Sequence, residues 1–435
     1  MDADVIVIGA GAAGLSAARV LAAHSMRIVV LEARERVGGR VWSRPTARTV
    51  TPAELGAEFI HGRAPQTMAL LRDAGTAAID TRGESWVRSK RGELRRDERD
   101  FGTAGDLFEM MRDARNDESV ERFLRSFESD DRLRETVAAA RAFVEGFEAA
   151  DPALASARAI ALEWQSGVDS TSARPLGGYP PLIDRLRAEC LESGVEIALS
   201  EAVRRIAWER GRVEIATAGS QGSSSTRRAR AAIVTLPVGV LRHGGDETAV
   251  VFDPDLPASK RSALANIQMG HAVKVTLLFR TAFWERLQNG RYRDGAFFRG
   301  DDDFFNVYWT LVPVRSELVV AWAGGPKASA LRGIESADLI ERALNGFSAL
   351  FDASDLASTE FEGGLAHDWT SDPFSRGAYS YVVVGGADAR AVLATAIDDT
   401  LFFAGEATSV DGQGGTVNGA LATGERAAAE VVRHV

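Results

Sequence analysis

Short apolar runs, amphipathic stretches and glycine-rich turns succeed one another along the chain. Val5 to Ile8 form a wholly apolar segment that predicts a buried strand; Gly14 to Ala23 continue as a helix of small residues, and Arg27 to Leu31 add a second strand. That order predicts a parallel β-α-β unit. From about Thr76 to Ala173 the pattern changes to charged segments such as "DLFEMMRDARN", "ESVERFLRSF" and "RLRETVAAARAFVEGF", whose apolar residues recur three and four apart. This spacing predicts an inserted, mainly helical region. Alternating stretches "VEIATA" and "RAAIVTLP" follow, and the polar "GSQGSSSTRR" between them reads as a long flexible hairpin loop. Strand-like runs at Val273 to Phe279, Phe304 to Leu311 and Glu317 to Trp322 predict a second sheet. No segment repeats at a fixed period.

Composition narrows the class. A chain of 435 residues, 45% hydrophobic and 26% charged, is long enough for two globular domains. A net charge of -10 argues against a nucleic-acid partner, which needs a concentrated basic surface, and favours a cationic substrate. No apolar run approaches the roughly 20 residues that span a bilayer, and "MDADVIVIGAG" enters a strand without the features of a signal peptide. The expectation is a cytoplasmic protein with no membrane partner, monomeric or homodimeric. The lone cysteine, Cys190, excludes an internal disulfide, and the six histidines show no metal-ligand spacing, so no metal is expected.

"GAGAAG" sets Gly9, Gly11 and Gly14 at the turn from strand to helix. Glycines there allow a tight turn, a close approach of backbone to a pyrophosphate and close helix packing, while the helix N-terminus offers free N–H groups. Glu32 ends the second strand 18 residues after Gly14, where a carboxylate can accept from ribose hydroxyls. The glycine triplet alone is weak; strand, turn, helix, strand and acid in order make a dinucleotide site. "ERVGGRVWS" follows, with Gly38 and Gly39 freeing backbone beside Arg40, a phosphate partner by type. Near the other end, "LFFAGEATSVDGQGGTVNGALATGERAAAEV" gives a strand, an acidic Gly405-Glu406 turn, a glycine-rich loop and a small-residue helix. Both ends are thus shaped to hold one long cofactor, which suits FAD better than NAD.

Taken together, "VIVIGAGAAGLSAARVL", "LEARERVGGRVWS", "ELGAEFIHG", "RPLGGYPPLIDRL", "AAIVTLPVGVL", "FDPDLPASKRSALANIQMGHAVKVTLLF", "WTSDPFSRGAYSY" and "FFAGEATS" resemble the flavin-containing amine oxidases, the group of monoamine oxidases, polyamine oxidases and lysine-specific histone demethylases. The resemblance covers nearly the whole chain and is weakest in the helical insert. It implies an α/β and α+β fold: a Rossmann-like FAD-binding domain of residues 1–75, 175–252 and 376–435, and a substrate domain of mixed sheet plus helices from 76–174 and 253–375. By position it implies that FAD is held by Gly9, Gly11, Ala13, Gly14, Glu32, Ala33, Arg34, Gly38, Gly39, Arg40, Gly56, Ala57, Glu58, Phe59, Val203, Gly405, Glu406, Gly415, Thr416 and Val417. Ala378 stands where monoamine oxidases carry the flavin-linking cysteine, which implies noncovalent FAD.

The chain has four lysines, Lys90, Lys260, Lys274 and Lys327. In "HAVKVTLLF", Val273, Val275, Leu277 and Phe279 share one strand face and Lys274 takes the other with Ala272 and Thr276. A sheet-surface lysine is the plain reading; the resemblance implies instead a lysine that holds a water beside flavin N5, where O2 reacts. It also implies hydride transfer from the carbon next to a neutral amine, giving an imine that water hydrolyses, with O2 reduced to H2O2. Tyr379 matches an aromatic that flanks the amine, while Thr416 replaces the second aromatic of the monoamine oxidase cage. This half cage resembles that of the polyamine oxidases and histone demethylases and leaves room for a larger amine. His61 matches a polar residue at the mouth of polyamine oxidase sites, and Trp369 is expected to wall the flavin. Alternatives that the residues leave open are an oxidase of an amino acid or other nitrogen-bearing metabolite, a desaturase, a flavoprotein used for cyclisation, and a chromatin-binding role.

Overall fold

The computed structural model describes residues 1–88, 92–97, 104–112, 116–167, 171–219 and 223–435. Lys90 and the tip of the expected hairpin loop, residues 220–222, lie outside these. Val5–Ile8 forms the middle of a five-stranded parallel sheet, with Ile28–Leu31 and Glu196–Ala198 on one side and Ala231–Val234 and Leu401–Phe403 on the other. Every residue of the central strand is buried, as a strand covered on both faces requires. One face is covered by helix Ala12–Ala23, packed between Pro180–Glu192 and the C-terminal helix Val417–His434. Gly14 and Gly424 allow the close contacts, since a Cβ on Gly424 would come within 2.2 Å of the Ala13 carbonyl oxygen. The two ends of the chain therefore share one core.

A seven-stranded sheet forms the second layer, in the order Phe361–Asp368, Ala272–Phe279, Leu318–Gly324, Val307–Trp309, Gly295–Arg299, Glu84–Val87 and Arg95–Asp97. Val273, Val275, Leu277 and Phe279 enter its aromatic core with Phe283, Trp284 and Phe347. The opposite face of this strand looks toward the first layer. Helices Gly105–Arg112, Val120–Arg125, Arg134–Gly146 and Ala157–Gln165 form a separate core around Phe108, Phe123 and Phe143. No described helix is long and apolar enough to cross a membrane.

Two expectations need correction. Among the described residues the helices of the insert begin at Gly105: strands Ala78–Asp80, Glu84–Val87 and Arg95–Asp97 precede them, each too short for its alternation to register. "GSQGSSSTRR" is not a long loop, because Arg212–Gly219 and Ser224–Ala229 pair antiparallel almost to the tip. Ser224–Ala229 is an edge strand with one wet face, so Ser, Thr and Arg fit it as well as they would fit a loop.

Candidate active site

One cavity of about 830 Å³ runs between the two layers, lined at one end by Gly9, Gly11, Glu32, Arg34 and Val203 and at the other by His61, Lys274, Trp369 and Tyr379. The glycine end is shaped by main chain. Gly9 has φ +107°, outside the range other residues favour, and a Cβ on Gly14 would come within 1.9 Å of the Gly9 carbonyl oxygen. Gly14 is therefore a packing residue under the turn and not part of the cavity wall. Gly11 faces open space: a Cβ there would meet only the Gly38 carbonyl oxygen, at 4.0 Å. No side chain caps helix Ala12–Ala23, so its N-terminus opens on the cavity wall formed by Gly11, Ala12 and Ala13.

Glu32 is buried and accepts from the backbone N–H groups of Ala10 at 2.8 Å and Arg34 at 2.9 Å. Burial raises its pKa above the usual carboxylate value against those bonds. The carboxylate thus closes the turn itself, a task that spacing alone did not reveal. Arg34 and Arg40, both expected to hold the cofactor and Arg40 expected as a phosphate partner, are already engaged. Arg34 grips Asp372 with two bonds at 2.9 and 2.7 Å, and Arg40 donates to Glu406 at 2.7 Å and to the Ala378 carbonyl at 2.8 Å. Glu406 also accepts from the Ser380 hydroxyl at 2.6 Å and the Gly415 N–H at 3.1 Å. Burial opposes its ionisation, but Arg40 and Arg390 outweigh that and hold its pKa below the usual value.

At the other end Lys274 is 2% exposed and donates to Glu58 at 2.6 Å and to the Gly56 carbonyl at 3.1 Å. Glu58 also accepts from Arg174 Nε at 2.8 Å and Trp309 Nε1 at 2.9 Å. Despite burial, Lys274 and Arg174 hold the Glu58 carboxyl below its usual range. The surface reading of Lys274 is wrong: the strand face opposite the aromatic core is enclosed by the Gly56–Phe59 segment.

The aromatic walls are fixed by hydrogen bonds. Trp369 donates to the Leu55 carbonyl at 2.8 Å, and the Tyr379 hydroxyl to the Phe147 carbonyl at 2.5 Å. Burial raises the Tyr379 hydroxyl above the ordinary phenol range, so it is neutral. Thr416 lines the cavity, but its hydroxyl is the N-cap of the C-terminal helix, accepting from Gly419 N–H and donating to the Gln413 carbonyl, both at 2.9 Å. His61 packs its ring edge-on to Phe147 at 4.9 Å, and burial pushes its pKa down to about 4. Ala33, Gly39, Ala57, Phe59, Gly405 and Val417 also line the cavity.

Sequence reading missed Arg174, Trp309, Phe147 and Asp372, which hold the expected site residues from behind. It also missed a buried chain in which Arg390 joins Glu163 at 3.0 Å to the Ser380 hydroxyl at 2.8 Å, and so to Glu406. A lone arginine or tryptophan in these segments carries no local signal of such partners.

A glycine turn closing a parallel sheet onto a deep cavity defines a dinucleotide-binding protein of the doubly wound class. The chain belongs to the flavin containing amine oxidoreductase family, whose model matches residues 12–432. Among relatives, Lysine-specific histone demethylase 2 of Homo sapiens is 26% identical over 459 residues, covering 98% of this chain and 53% of that protein. Polyamine oxidase 4 of Oryza sativa subsp. japonica is 28% identical over 467 residues, covering 99% of this chain and 89% of that protein. The chain spans about half the length of the first curated relatives it matches, such as Protein FLOWERING LOCUS D of Arabidopsis thaliana at 55%. Its fold is shared with putrescine oxidase bound to putrescine, at TM-score 0.80, 22% identity and coverage of 100% and 99%. Cyclohexylamine oxidase from Brevibacterium oxydans IH-35A superposes at TM-score 0.79 and 20% identity, again over 100% and 99%.

Proposed function

We propose that this protein oxidises an amine with noncovalent FAD and O2, and that the amine is larger than simple arylalkylamines. The observation that carries the reading is one continuous cavity joining the glycine turn to Lys274, Trp369 and Tyr379. The residues fit FAD: Gly11 leaves room for close approach, the uncapped helix end presents N–H groups, and Ala378 on the wall has no thiol for a covalent link. Gly9, Glu32, Val203, Gly39, Arg40 and Gly415 would hold it, within a unit of residues 1–75, 175–252 and 376–435.

Bound FAD supplies the two-electron acceptor. The substrate would lose a hydride from the carbon next to nitrogen to that acceptor and a proton to solvent; water would split the imine into a carbonyl product and ammonia or a smaller amine, and O2 would take up the two electrons with two protons and leave as H2O2. The protein orients and excludes. Trp369 and Tyr379, each pinned by a hydrogen bond, confine the reacting nitrogen, and the apolar walls favour the uncharged amine. Glu58, Glu163 and Glu406 are bound to cationic partners, so none is poised as the substrate's base. Lys274 has three N–H donors, of which Glu58 and Gly56 take two, leaving one for a water or for reduced oxygen.

The test is anaerobic titration of the yellow protein with putrescine, spermidine and benzylamine, followed by admission of O2. Bleaching by an amine and release of peroxide are expected, with a polyamine or bulky amine reacting faster than benzylamine. A flavin that no amine bleaches overturns the proposal.

A further inference from the structure

Glu58 belongs to a segment expected to touch the cofactor, yet its carboxylate is spent elsewhere. It is fully enclosed and accepts from Lys274, Arg174 and Trp309, three donors from three separate strands or strand ends. Arg174 is itself fixed: its guanidinium lies 4.3 Å over the Phe59 ring and donates to the Thr310 carbonyl at 3.1 Å and the Val312 carbonyl at 3.4 Å. Both cations converge on this one carboxylate. We infer that Glu58 is a positioning residue that keeps Lys274 an ammonium and aims its remaining N–H into the cavity, and so sets the pH range over which the reduced enzyme reacts with O2. The inference rests on the reading of Lys274 given above.

Physics favours this role over simple packing. A buried ammonium survives only with a close anion, and here a second cation, Arg174, competes for the same carboxylate. The other groups around Lys274 offer no substitute. Glu54 acts on it only through space, being held by the Ser43 hydroxyl at 2.6 Å and the Tyr179 N–H at 2.8 Å, and burial pushes its pKa up to about 7. The strand neighbours in register are Trp322 and His367; His367 Nε2 lies 3.2 Å from the Asp372 carboxylate, which Arg34 already holds with two bonds. Trp309 brings its ring within 5.5 Å of Nζ but no negative charge.

The experiment compares wild-type, Glu58→Gln, Glu58→Asp and Lys274→Met holoenzymes between pH 6 and 10. Two quantities are read: the rate at which O2 reoxidises the photoreduced protein, and the Cε resonance of Lys274 in protein labelled with ¹³C-lysine. With four lysines in the chain, Lys274→Met assigns that resonance by its loss. In Glu58→Gln the reoxidation rate is expected to fall with rising pH along a limb the wild type lacks, reaching a loss of about ten-fold per pH unit, and the Lys274 resonance titrates over the same limb. Glu58→Asp, which keeps the charge, retains the wild-type profile. If Glu58→Gln alone does not fold around an unsatisfied Arg174, the double variant Glu58→Gln/Arg174→Gln carries the test. The same limb is expected there, because Lys274 still lacks its carboxylate. An unchanged profile and an unmoved resonance in the glutamine variants, with Lys274→Met slow, overturn the inference alone. Loss of the profile in Glu58→Asp as severe as in Glu58→Gln also overturns it, since charge would not be the cause. An unchanged reoxidation rate in Lys274→Met overturns both the inference and the reading beneath it.

Discussion

The hydroxyl of Tyr379 donates to the carbonyl of Phe147 at 2.5 Å, tying the segment that leads into strand Ser380–Val382 to the C-terminal end of the helix Arg134–Gly146. Because its hydroxyl is occupied and neutral, the proposed function gives Tyr379 a part only through its ring. Tyr379→Phe should therefore keep amine turnover within about three-fold of wild type while losing about 1 kcal/mol of stability as the carbonyl loses its donor. Thermal melts and kcat/KM for one amine check the split. A large loss of flavin reduction in the phenylalanine variant would show that the hydroxyl acts in the chemistry.

Thr416 has two tasks that a sequence comparison merges into one. Its side chain lines the cavity, and its hydroxyl caps the C-terminal helix through Gly419 N–H. Thr416→Ser should preserve both. Thr416→Tyr loses the cap, costing about 1 kcal/mol, and narrows the cavity, so it should depress turnover of a bulky amine while sparing benzylamine. Equal effects of the tyrosine on both substrates would move selectivity to the helical insert.

What is readable in the sequence divides along physical lines. The buried strand Val5–Ile8, the glycine turn and the alternation around Lys274 are local patterns, and the structure places them as expected. The partners of Lys274, Arg34 and Tyr379 come from segments far along the chain, and nothing in local spacing marks Arg174, Asp372 or Phe147 as such. Glu32 shows the boundary well: its position after the second strand is legible, but its bonds to Ala10 and Arg34 are not. The polar strand Ser224–Ala229 reads as loop because an edge strand with a wet face has the same composition as a turn.

His61 should govern part of the acid sensitivity. Its ordinary pKa of 6.5 falls to about 4 through burial, so between those values the unfolded chain binds a proton that the folded chain refuses. Stability from this residue is present above pH 6.5 and is lost as pH falls toward 4, by roughly 3 kcal/mol at most. Glu54 runs the other way: its pKa rises from 4.5 to about 7, so its contribution is lost as pH rises through that window. His61→Phe should remove the acid limb and shift the stability maximum to lower pH. Urea midpoints measured from pH 4 to 7 decide this, and an acid limb unchanged in the variant would assign it to other groups.

Gly11 and Gly14 belong to one motif but do different work, and alanine at each separates cofactor binding from folding. At Gly14 a Cβ would lie 1.9 Å from the Gly9 carbonyl oxygen, so the helix must move off the strand, at a cost of about 1 to 3 kcal/mol. Gly14→Ala should lower both flavin content and the melting temperature of the flavin-free protein. Gly11 has φ -77°, which any residue adopts, and its Cβ would meet no protein atom closer than 4.0 Å. Gly11→Ala should leave the flavin-free melting temperature unchanged but strip most of the flavin, because the new methyl group occupies the space beside the helix N-terminus. Flavin content is read from the visible absorbance of the purified protein against its protein absorbance, after acid release into the supernatant. If Gly11→Ala retains full flavin, the cofactor does not approach the chain at that turn, and the cradle must lie elsewhere along the cavity.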